Sequence, residues 1–153
     1  MLLAIDVGNT NAVFALHDGK RILGQWRCVS DYRRTGDEYF VWLKQLMEYS
    51  GIVGSIERVV ISSTVPRVVF NLRVLCDRYF NCRPIVVGKP EVDLGIPVRV
   101  DRDTRVGPDR LVNTVAGYDR FGPELVVVDF GTATTFDVVG HDGAYEGGII
   151  APG

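Results

Sequence analysis

The sequence has few of the residues that metal centres and disulfide frameworks need. Its 153 residues include three cysteines, Cys28, Cys76 and Cys82, which form no C-x-x-C pair, and only two histidines. An odd number of cysteines without that spacing predicts neither a disulfide framework nor a zinc site. His17 and His141 each stand in a His-Asp-Gly turn, where an exposed turn residue is a better interpretation than a metal ligand or a base.

The chain also lacks a basic excess and a long apolar run. Its formal net charge is -2, whereas binding to a nucleic acid favours a basic surface that displaces counterions from the phosphates. No apolar run approaches the roughly 20 residues of a membrane-spanning helix, and the first residues, MLLAIDVGN, lack the basic start of a signal peptide. We therefore expect no nucleic-acid partner, no membrane segment and a cytoplasmic location.

What the sequence does contain is an internal repeat. Asp6 aligns with Asp129, Gly8 with Gly131 and, after one inserted residue, the His-Asp-Gly at 17–19 aligns with that at 141–143. Each copy predicts a strand, a tight polar turn, a second strand, an Asp-Gly hairpin turn and a third extended stretch. A match in turn, spacing and hairpin is harder to obtain by chance than a single D-x-G.

Helices and strands alternate between the two copies. Thr35 and Glu38 form a capping-box pattern that opens a helix ending at Gly51, and Pro66 is well placed in the first turn of a second helix. ERVVISST and RPIVVG predict strands, residues 89–106 a loop, and DRLVNTVAGYDRF a third helix that ends near Gly122-Pro123. The order βββαβαβ, then a helix and a second βββ, predicts an α/β domain over 1–122 and the beginning of its duplicate over 123–153.

The two polar turns are candidates for phosphate binding. A tight turn of small residues exposes backbone N–H groups to phosphate oxygens, and an aspartate before it can hold a metal ion or a metal-bound water. The glycines would allow close approach, and the hydrogen-bond donors would be Asn9, Thr10, Thr132 and Thr134. The alternative is two ordinary hairpin turns, since Asp, Gly, Asn and Thr are turn residues in any case.

The strands before the turns favour the functional interpretation. LLAID and LVVVD are apolar up to their aspartates, which predicts a carboxylate at the edge of a core. A charge placed there at a desolvation cost is more often functional than structural. We therefore expect each turn to face one side of a nucleotide's phosphate chain.

A third candidate is Gly107-Pro108-Asp109-Arg110 at a helix start. A carboxylate here can accept a proton from a substrate hydroxyl while the guanidinium and the helix N-terminus hold an anion. Helix capping by the aspartate is the alternative. The neighbouring arginines would then solvate a loop, namely Arg99, Arg102, Arg105 and Arg110. Spacing alone favours this alternative.

Together, five segments resemble the ordered motifs of the type III pantothenate kinase family. These are DVGNTN at 6–11, SSTVP at 62–66, VGPDRLVNTVAG at 106–117, DFGTATTFDVV at 129–139 and GGIIAPG at 147–153. The resemblance implies a duplicated ribonuclease-H-like fold of the actin-like ATPase kind. It also implies ATP-dependent phosphorylation of pantothenate, the first step of coenzyme A biosynthesis.

The resemblance assigns roles to individual residues. The first phosphate loop would comprise Asp6, Val7, Gly8, Asn9, Thr10, Asn11, Ala12 and Val13, with Asp6 near the Mg²⁺ of MgATP. Asp129 would bind the monovalent cation, K⁺ or NH₄⁺, and Thr132 would contact ATP. Pantothenate would lie against Gly107, Pro108, Asp109 and Arg110, with Asp109 as proton acceptor and Arg110 near the substrate carboxylate. Here the resemblance overturns the interpretation that spacing alone favours.

The sequence differs from the family pattern at two positions and in its length. Val100 stands in a stretch where many family members carry a tyrosine, and Arg105 where an acidic residue is common. Family members continue well beyond G-G-x-I-x-P-G, so we expect the chain to be the N-terminal part of a kinase. Strand faces left exposed near its end predict a homodimer. The alternatives are a non-catalytic nucleotide-binding accessory protein of the same fold and an inactive truncated kinase fragment.

Overall fold

The computed structural model describes all residues, 1–153, and contains eight strands, three α-helices and one π-helical turn. In chain order they are β1 Leu2–Val7, β2 Asn11–His17, β3 Ile22–Val29, α1 Gly36–Tyr49, β4 Arg58–Ser63, α2 Pro66–Leu75, the π-helical turn Cys76–Phe80, β5 Ile85–Val86, α3 Pro108–Phe121, β6 Leu125–Phe130, β7 Ala133–Val139 and β8 Tyr145–Pro152. They form two compact units, Met1–Val86 and Val87–Gly153. None of the helices has the length and apolar character that a membrane crossing requires.

The first unit is built on a five-stranded mixed sheet of order β3-β2-β1-β4-β5. β2 pairs antiparallel with both β1 and β3, because short turns join these three strands. β4 pairs parallel with β1, and β5 parallel with β4, because helices carry the chain back between them. This confirms the predicted βββαβαβ order and the ribonuclease-H-like topology of an α/β fold.

The core of the first unit lies on one face of β1 and β2 and under the two helices. Leu3, Ile5 and Val7 are buried, whereas Ala4 and Asp6 between them are exposed, as the two-residue period of a strand dictates. The helices add further buried side chains to this core: Tyr39, Leu43, Val68, Leu72 and Leu75. Cys76 also packs there, and burial raises the pKa of its thiol to about 12.

The helix boundaries follow the predicted signals. Glu38 N–H donates to the Thr35 hydroxyl and Thr35 N–H to the Glu38 carboxylate, so the capping box is confirmed. Gly51, just past the helix, has a φ of +66°, a conformation that favours glycine. Pro66 begins α2 as predicted. The helix predicted through NLRVLCDRYF does extend to Phe80, but its last five residues form a π-helical turn, a geometry that was not predicted, and Asn81 follows in the left-handed conformation.

The strand predicted from RPIVVG is much shorter than expected, because only Ile85 and Val86 pair with β4. Pro84 has no backbone N–H to contribute to a sheet. Gly88 has a φ of +81°, which turns the chain away from the strand direction.

The second unit contains an antiparallel sheet of order β6-β7-β8, with α3 packed against β6 and β7. Strand, turn, strand, hairpin turn and strand therefore recur as the repeat predicts. The units divide at Val86 and Val87, and α3 belongs with the sheet that follows it. The predicted boundary at Gly122-Pro123 marks a different point, the start of the second copy of the repeat, and it remains a prediction.

The predicted loop over 89–106 has little regular structure, but Arg99 anchors it to the second sheet. Tyr145 N–H donates to Pro97 O at 2.9 Å, and Arg99 N–H donates to Tyr145 O at 2.8 Å. The Arg99 guanidinium also pairs with Asp142 and Glu146, and it lowers the pKa of the Asp142 carboxyl. The interpretation that Arg99 merely solvates a loop is therefore wrong.

Candidate functional site

The turn after β1 is held from the side of β3. Gly8 N–H donates to Asn11 O at 3.0 Å within the turn, and Ser30 N–H donates to Thr10 O at 3.0 Å. The Ser30 hydroxyl donates to Gly8 O at 2.6 Å. The turn containing Asn9 is thus fixed by the end of β3 rather than left to its own conformational preference.

The parallel strand β4 brings the SSTVP segment beside the same turn. Asp6 is in register with Ser62, and Val7 with Ser63. Thr64 N–H donates to Val7 O at 3.0 Å, and its hydroxyl approaches the same oxygen at 3.3 Å. The carboxyl ends of β1 and β4 therefore form one edge, where ligands of open α/β sheets bind.

The two aspartates before the turns are exposed, so the desolvation argument made from the sequence is wrong. Asp6 lies on the face of β1 opposite its buried residues. Asp129 lies on β6, where Val126 and Val128 are exposed as well. The alternation of strand faces accounts for Asp6, whereas both faces of β6 are exposed from Val128 to Phe130.

The turn after β6 is one residue shorter than the turn after β1, but its glycine is placed in the same way. Gly131 N–H donates to Ala133 O at 3.1 Å. A Cβ on Gly131 would meet only Ala133 O at 3.7 Å, and one on Gly8 only Asn11 O at 3.6 Å. These are ordinary contact distances, so the fold itself would accept a side chain at both positions. A glycine leaves open a face of each turn where a ligand can approach the backbone.

The Gly107-Pro108-Asp109-Arg110 motif forms the start of α3. Gly107 is the N-cap and accepts Leu111 N–H at 3.2 Å, while Pro108 fills the first helical position. The Asp109 carboxylate folds back over the cap, since a Cβ on Gly107 would lie 2.4 Å from its Oδ1. Asp109 is half-buried and no hydrogen bond ties its carboxylate to the rest of the chain.

One turn of α3 connects this motif to the turn after β6. Asn113 follows Asp109 by four residues and therefore lies on the same helix face. Its Nδ2 donates to Asp129 Oδ2 at 3.2 Å. Asn113 thus ties α3 to Asp129, one helical turn after Asp109 and within one compact unit.

Arg110 enters a buried polar cluster centred on Asp137. Its Nε and Nη2 each lie 2.7 Å from Asp137 Oδ1, and the Asp137 side chain is fully buried. Tyr145 donates its hydroxyl to the same oxygen at 3.0 Å. Burial and this hydrogen bond raise the pKa of Tyr145 to about 12, so the hydroxyl keeps its proton. As with Arg99, the interpretation of Arg110 as a loop-solvating residue is wrong.

β8 passes close to the Arg110 side chain at Gly148. A Cβ there would lie 2.5 Å from Arg110 Nη2 and 2.0 Å from Phe136 O. Only glycine fits such a contact without moving backbone. The second glycine of the GGIIAPG segment therefore has a packing role in this cluster.

Arg110 also borders a cavity of about 470 Å³ within the second unit. Its walls carry charges of both signs, with Arg99 and Arg105 facing the same space as Asp101 and Glu146. The remaining lining residues are Val100, Thr104, Val106, Tyr145, Gly147 and Gly148. Val100 and Arg105, the two departures from the family pattern, both line this cavity.

Asn113, Asp137 and Tyr145 were not identified from the sequence. For Asp137 a signal existed, since a carboxylate two residues from the buried Val139 must share its strand face. Nothing in the sequence indicated which cation would pair with it. No group of three or more His, Cys, Asp or Glu side chains is arranged to hold a metal ion by itself.

Solved structures resemble the chain in fold. A reductive activator for a corrinoid, iron-sulfur protein matches 98% of the chain and 31% of its own, with a TM-score of 0.55 and 13% identity. The type II variant of the Aquifex aeolicus Ppx/GppA phosphatase matches 99% of the chain and 51% of its own, at a TM-score of 0.50 and 17% identity. With the sheet order and the repeated turns, they place the chain in the actin-like ATPase and sugar-kinase fold class.

Sequence comparison narrows this class to one family. The family model for type III pantothenate kinase matches residues 2–153, and the chain belongs to that family. Type III pantothenate kinases of Dinoroseobacter shibae and Ruegeria sp. (strain TM1040) are each 67% identical to it over 153 residues. The chain spans 60% and 59% of the length of these two relatives.

Proposed function

We propose that the intact protein containing this chain transfers the γ-phosphoryl group of ATP to the terminal hydroxyl of pantothenate, the first step of coenzyme A biosynthesis. Family membership supports the reaction. The observation that carries it is the Asp109 carboxylate, half-buried and without a hydrogen bond, one helical turn before Asn113, which donates to Asp129 before the turn after β6. A non-catalytic nucleotide-binding protein needs no such acceptor. The proposal places the protein in the cytoplasm, where ATP is available.

For ATP, we assign the phosphate contacts to the two repeated turns. The first turn supplies Asp6, Val7, Gly8, Asn9, Thr10, Asn11, Ala12 and Val13, and the second supplies Thr132. The open faces at Gly8 and Gly131 support this assignment. The hydrogen bonds from Ser30 also support it, since a preorganised turn loses less entropy when a ligand binds.

For the cations, we assign Asp6 to the Mg²⁺ of MgATP and Asp129 to the monovalent ion, K⁺ or NH₄⁺. Mg²⁺ at a nucleotide keeps several waters and needs one or two carboxylates besides the phosphates. A single exposed aspartate beside a phosphate-binding turn fits that requirement. The cations neutralise charge on the polyphosphate, which two carboxylates would otherwise repel.

At the acceptor end, Asp109 accepts the proton of the hydroxyl while Arg110 faces the substrate carboxylate, with Gly107 and Pro108 lining the same site. Phosphoryl transfer through a loose transition state depends on in-line placement more than on covalent chemistry. The residues at the start of α3 hold the hydroxyl in place and receive its proton. The helix N-terminus adds a favourable field for the negatively charged acceptor.

The test is a coupled assay of ADP formation by the intact protein, with mass spectrometry of the product. We expect ADP release only when pantothenate is present, and a product heavier than pantothenate by one phosphoryl group. Omission of pantothenate is the control for background ATP hydrolysis. ATP binding without any pantothenate-dependent turnover would contradict the proposal and favour the accessory-protein alternative.

We also propose that the intact protein is a homodimer. The second sheet exposes large apolar side chains, Phe130 at 81%, Ile149 at 65% and Ile150 at 64%. Apolar surface of this kind is usually covered by another chain or chain segment. Light scattering of the intact protein is expected to give twice the mass calculated from its sequence, and a monomer mass across micromolar concentrations would contradict the proposal.

A further inference from the structure

Recognition of the substrate carboxylate by Arg110 depends on how its flexible side chain is held. Nε donates a hydrogen bond to Asp137 Oδ1 at 2.7 Å, while Nη2 lies 2.7 Å from the same oxygen in an ion pair and donates to Phe136 O at 3.4 Å. Nη1 makes no hydrogen bond within the chain, and the Arg110 side chain borders the cavity at 13% exposure. One edge of the guanidinium is therefore committed to the protein, and the other is left for a ligand.

Asp137 is itself held in one orientation. Tyr145 donates its hydroxyl to Oδ1 at 3.0 Å, and the Thr135 hydroxyl approaches Oδ2 at 3.4 Å. Both Asp137 and Tyr145 are almost completely buried. The contacts form a chain from the interior of the sheet, through the carboxylate, to the guanidinium at the cavity wall.

A buried ion pair contributes little net stability, because desolvation of both charges offsets their attraction. The pair does provide a fixed guanidinium plane, which bidentate or directional recognition of a carboxylate requires. Groups that touch a ligand are commonly oriented by such partners behind them.

We infer that Asp137 is a positioning residue that fixes Arg110 with its free N–H edge toward the carboxylate of the acceptor substrate. This inference rests on the proposed function, since it assumes that pantothenate is the acceptor. Asp137 does not touch the substrate and takes no part in proton transfer. Its role is to set how well the site distinguishes an acceptor with a carboxylate from one without it.

The test compares two acceptors in the intact protein and its Asp137→Asn variant. One is pantothenate, and the other is pantothenol, in which CH₂OH replaces the carboxylate. We expect kcat/KM for pantothenate to fall by about 10- to 100-fold, the size of one hydrogen bond to a charged group. This loss should lie mainly in KM. kcat/KM for pantothenol and KM for ATP should change by less than about twofold, since neither ligand uses Arg110.

Asp37→Asn is the matched control. Asp37 accepts from Arg78 Nη1 at 2.7 Å and from the Tyr79 hydroxyl at 2.8 Å, the same chemistry on an exposed surface of the first unit. It should leave both acceptors unaffected. If Asp137→Asn does not fold, the Tyr145→Phe variant tests the positioning role instead. It removes one hydrogen bond to Asp137 and keeps the ion pair between Asp137 and Arg110. It should lower the pantothenate to pantothenol ratio of kcat/KM by about threefold.

The outcomes separate the inference from the proposed function. A wild-type protein that phosphorylates neither acceptor overturns both. A wild-type protein that uses pantothenate, with an Asp137→Asn variant that loses both acceptors equally, leaves the proposed function standing and overturns the positioning role. A folded Tyr145→Phe variant with an unchanged ratio does the same when Asp137→Asn cannot be prepared. A selective loss for pantothenate supports the inference.

Discussion

Asp109→Asn is expected to lower kcat of the intact protein by about 10²- to 10⁴-fold, the usual contribution of a positioned general base. KM for ATP should stay within about twofold, because the lost group acts on the acceptor hydroxyl and not on the nucleotide. Asparagine retains the shape of the side chain, so its fit over Gly107 is preserved. The measurement is steady-state kinetics at saturating pantothenate, with ATP affinity checked separately by titration.

The same substitution at Asp119 provides the control. Asp119 lies on α3 as well, but it is exposed and near the other end of the helix. Asp119→Asn should therefore leave kcat unchanged, which separates loss of the proton acceptor from general damage to the helix. Unchanged turnover of Asp109→Asn at saturating pantothenate would exclude Asp109 as the proton acceptor.

The elements that the sequence predicted well are determined by residues close to one another in the chain. Thr35 and Glu38 satisfy each other's backbone groups three residues apart, and Pro66 needs only its own ring to favour a first helical turn. The three-stranded repeat is likewise set by turns of a few residues. Such features depend only on residues that are close together in the sequence.

The features that were missed or wrong depend on distant partners. The short β5 is an exception, because Pro84 before it and the turn at Gly88 after it limit the strand locally. The exposure of Asp6 depends on which face of β1 the helices cover. The Asp137 cluster joins residues 27 positions apart along the chain, and no short spacing indicates such a pair.

The candidate site combines both kinds of information. Spacing alone favoured helix capping for Asp109, and the resemblance to a family reversed that interpretation. The structure adds a physical reason for the reversal: the carboxylate has no hydrogen-bond partner in the chain, whereas a capping aspartate accepts a hydrogen bond from the backbone. For Arg110 the structure identifies the partner, Asp137, that the sequence could not.

Asp129→Ala is expected to remove the dependence of activity on K⁺ or NH₄⁺ and to raise KM for MgATP by about tenfold or more, about 1.4 kcal/mol of lost interaction or greater. Asp129 is exposed at the end of β6, and Asn113 Nδ2, 3.2 Å away, occupies only one of its oxygens. The carboxylate therefore retains acceptor positions for a cation beside the phosphates.

Asn113→Ala is the control, because it keeps the carboxylate and should preserve the cation response while changing KM by less than about threefold. Rates measured in buffers with Na⁺, K⁺ or NH₄⁺ as the sole monovalent cation decide the matter. Equal wild-type rates in Na⁺ and K⁺ would show that Asp129 has no cation to hold, and its role would then be limited to positioning Asn113.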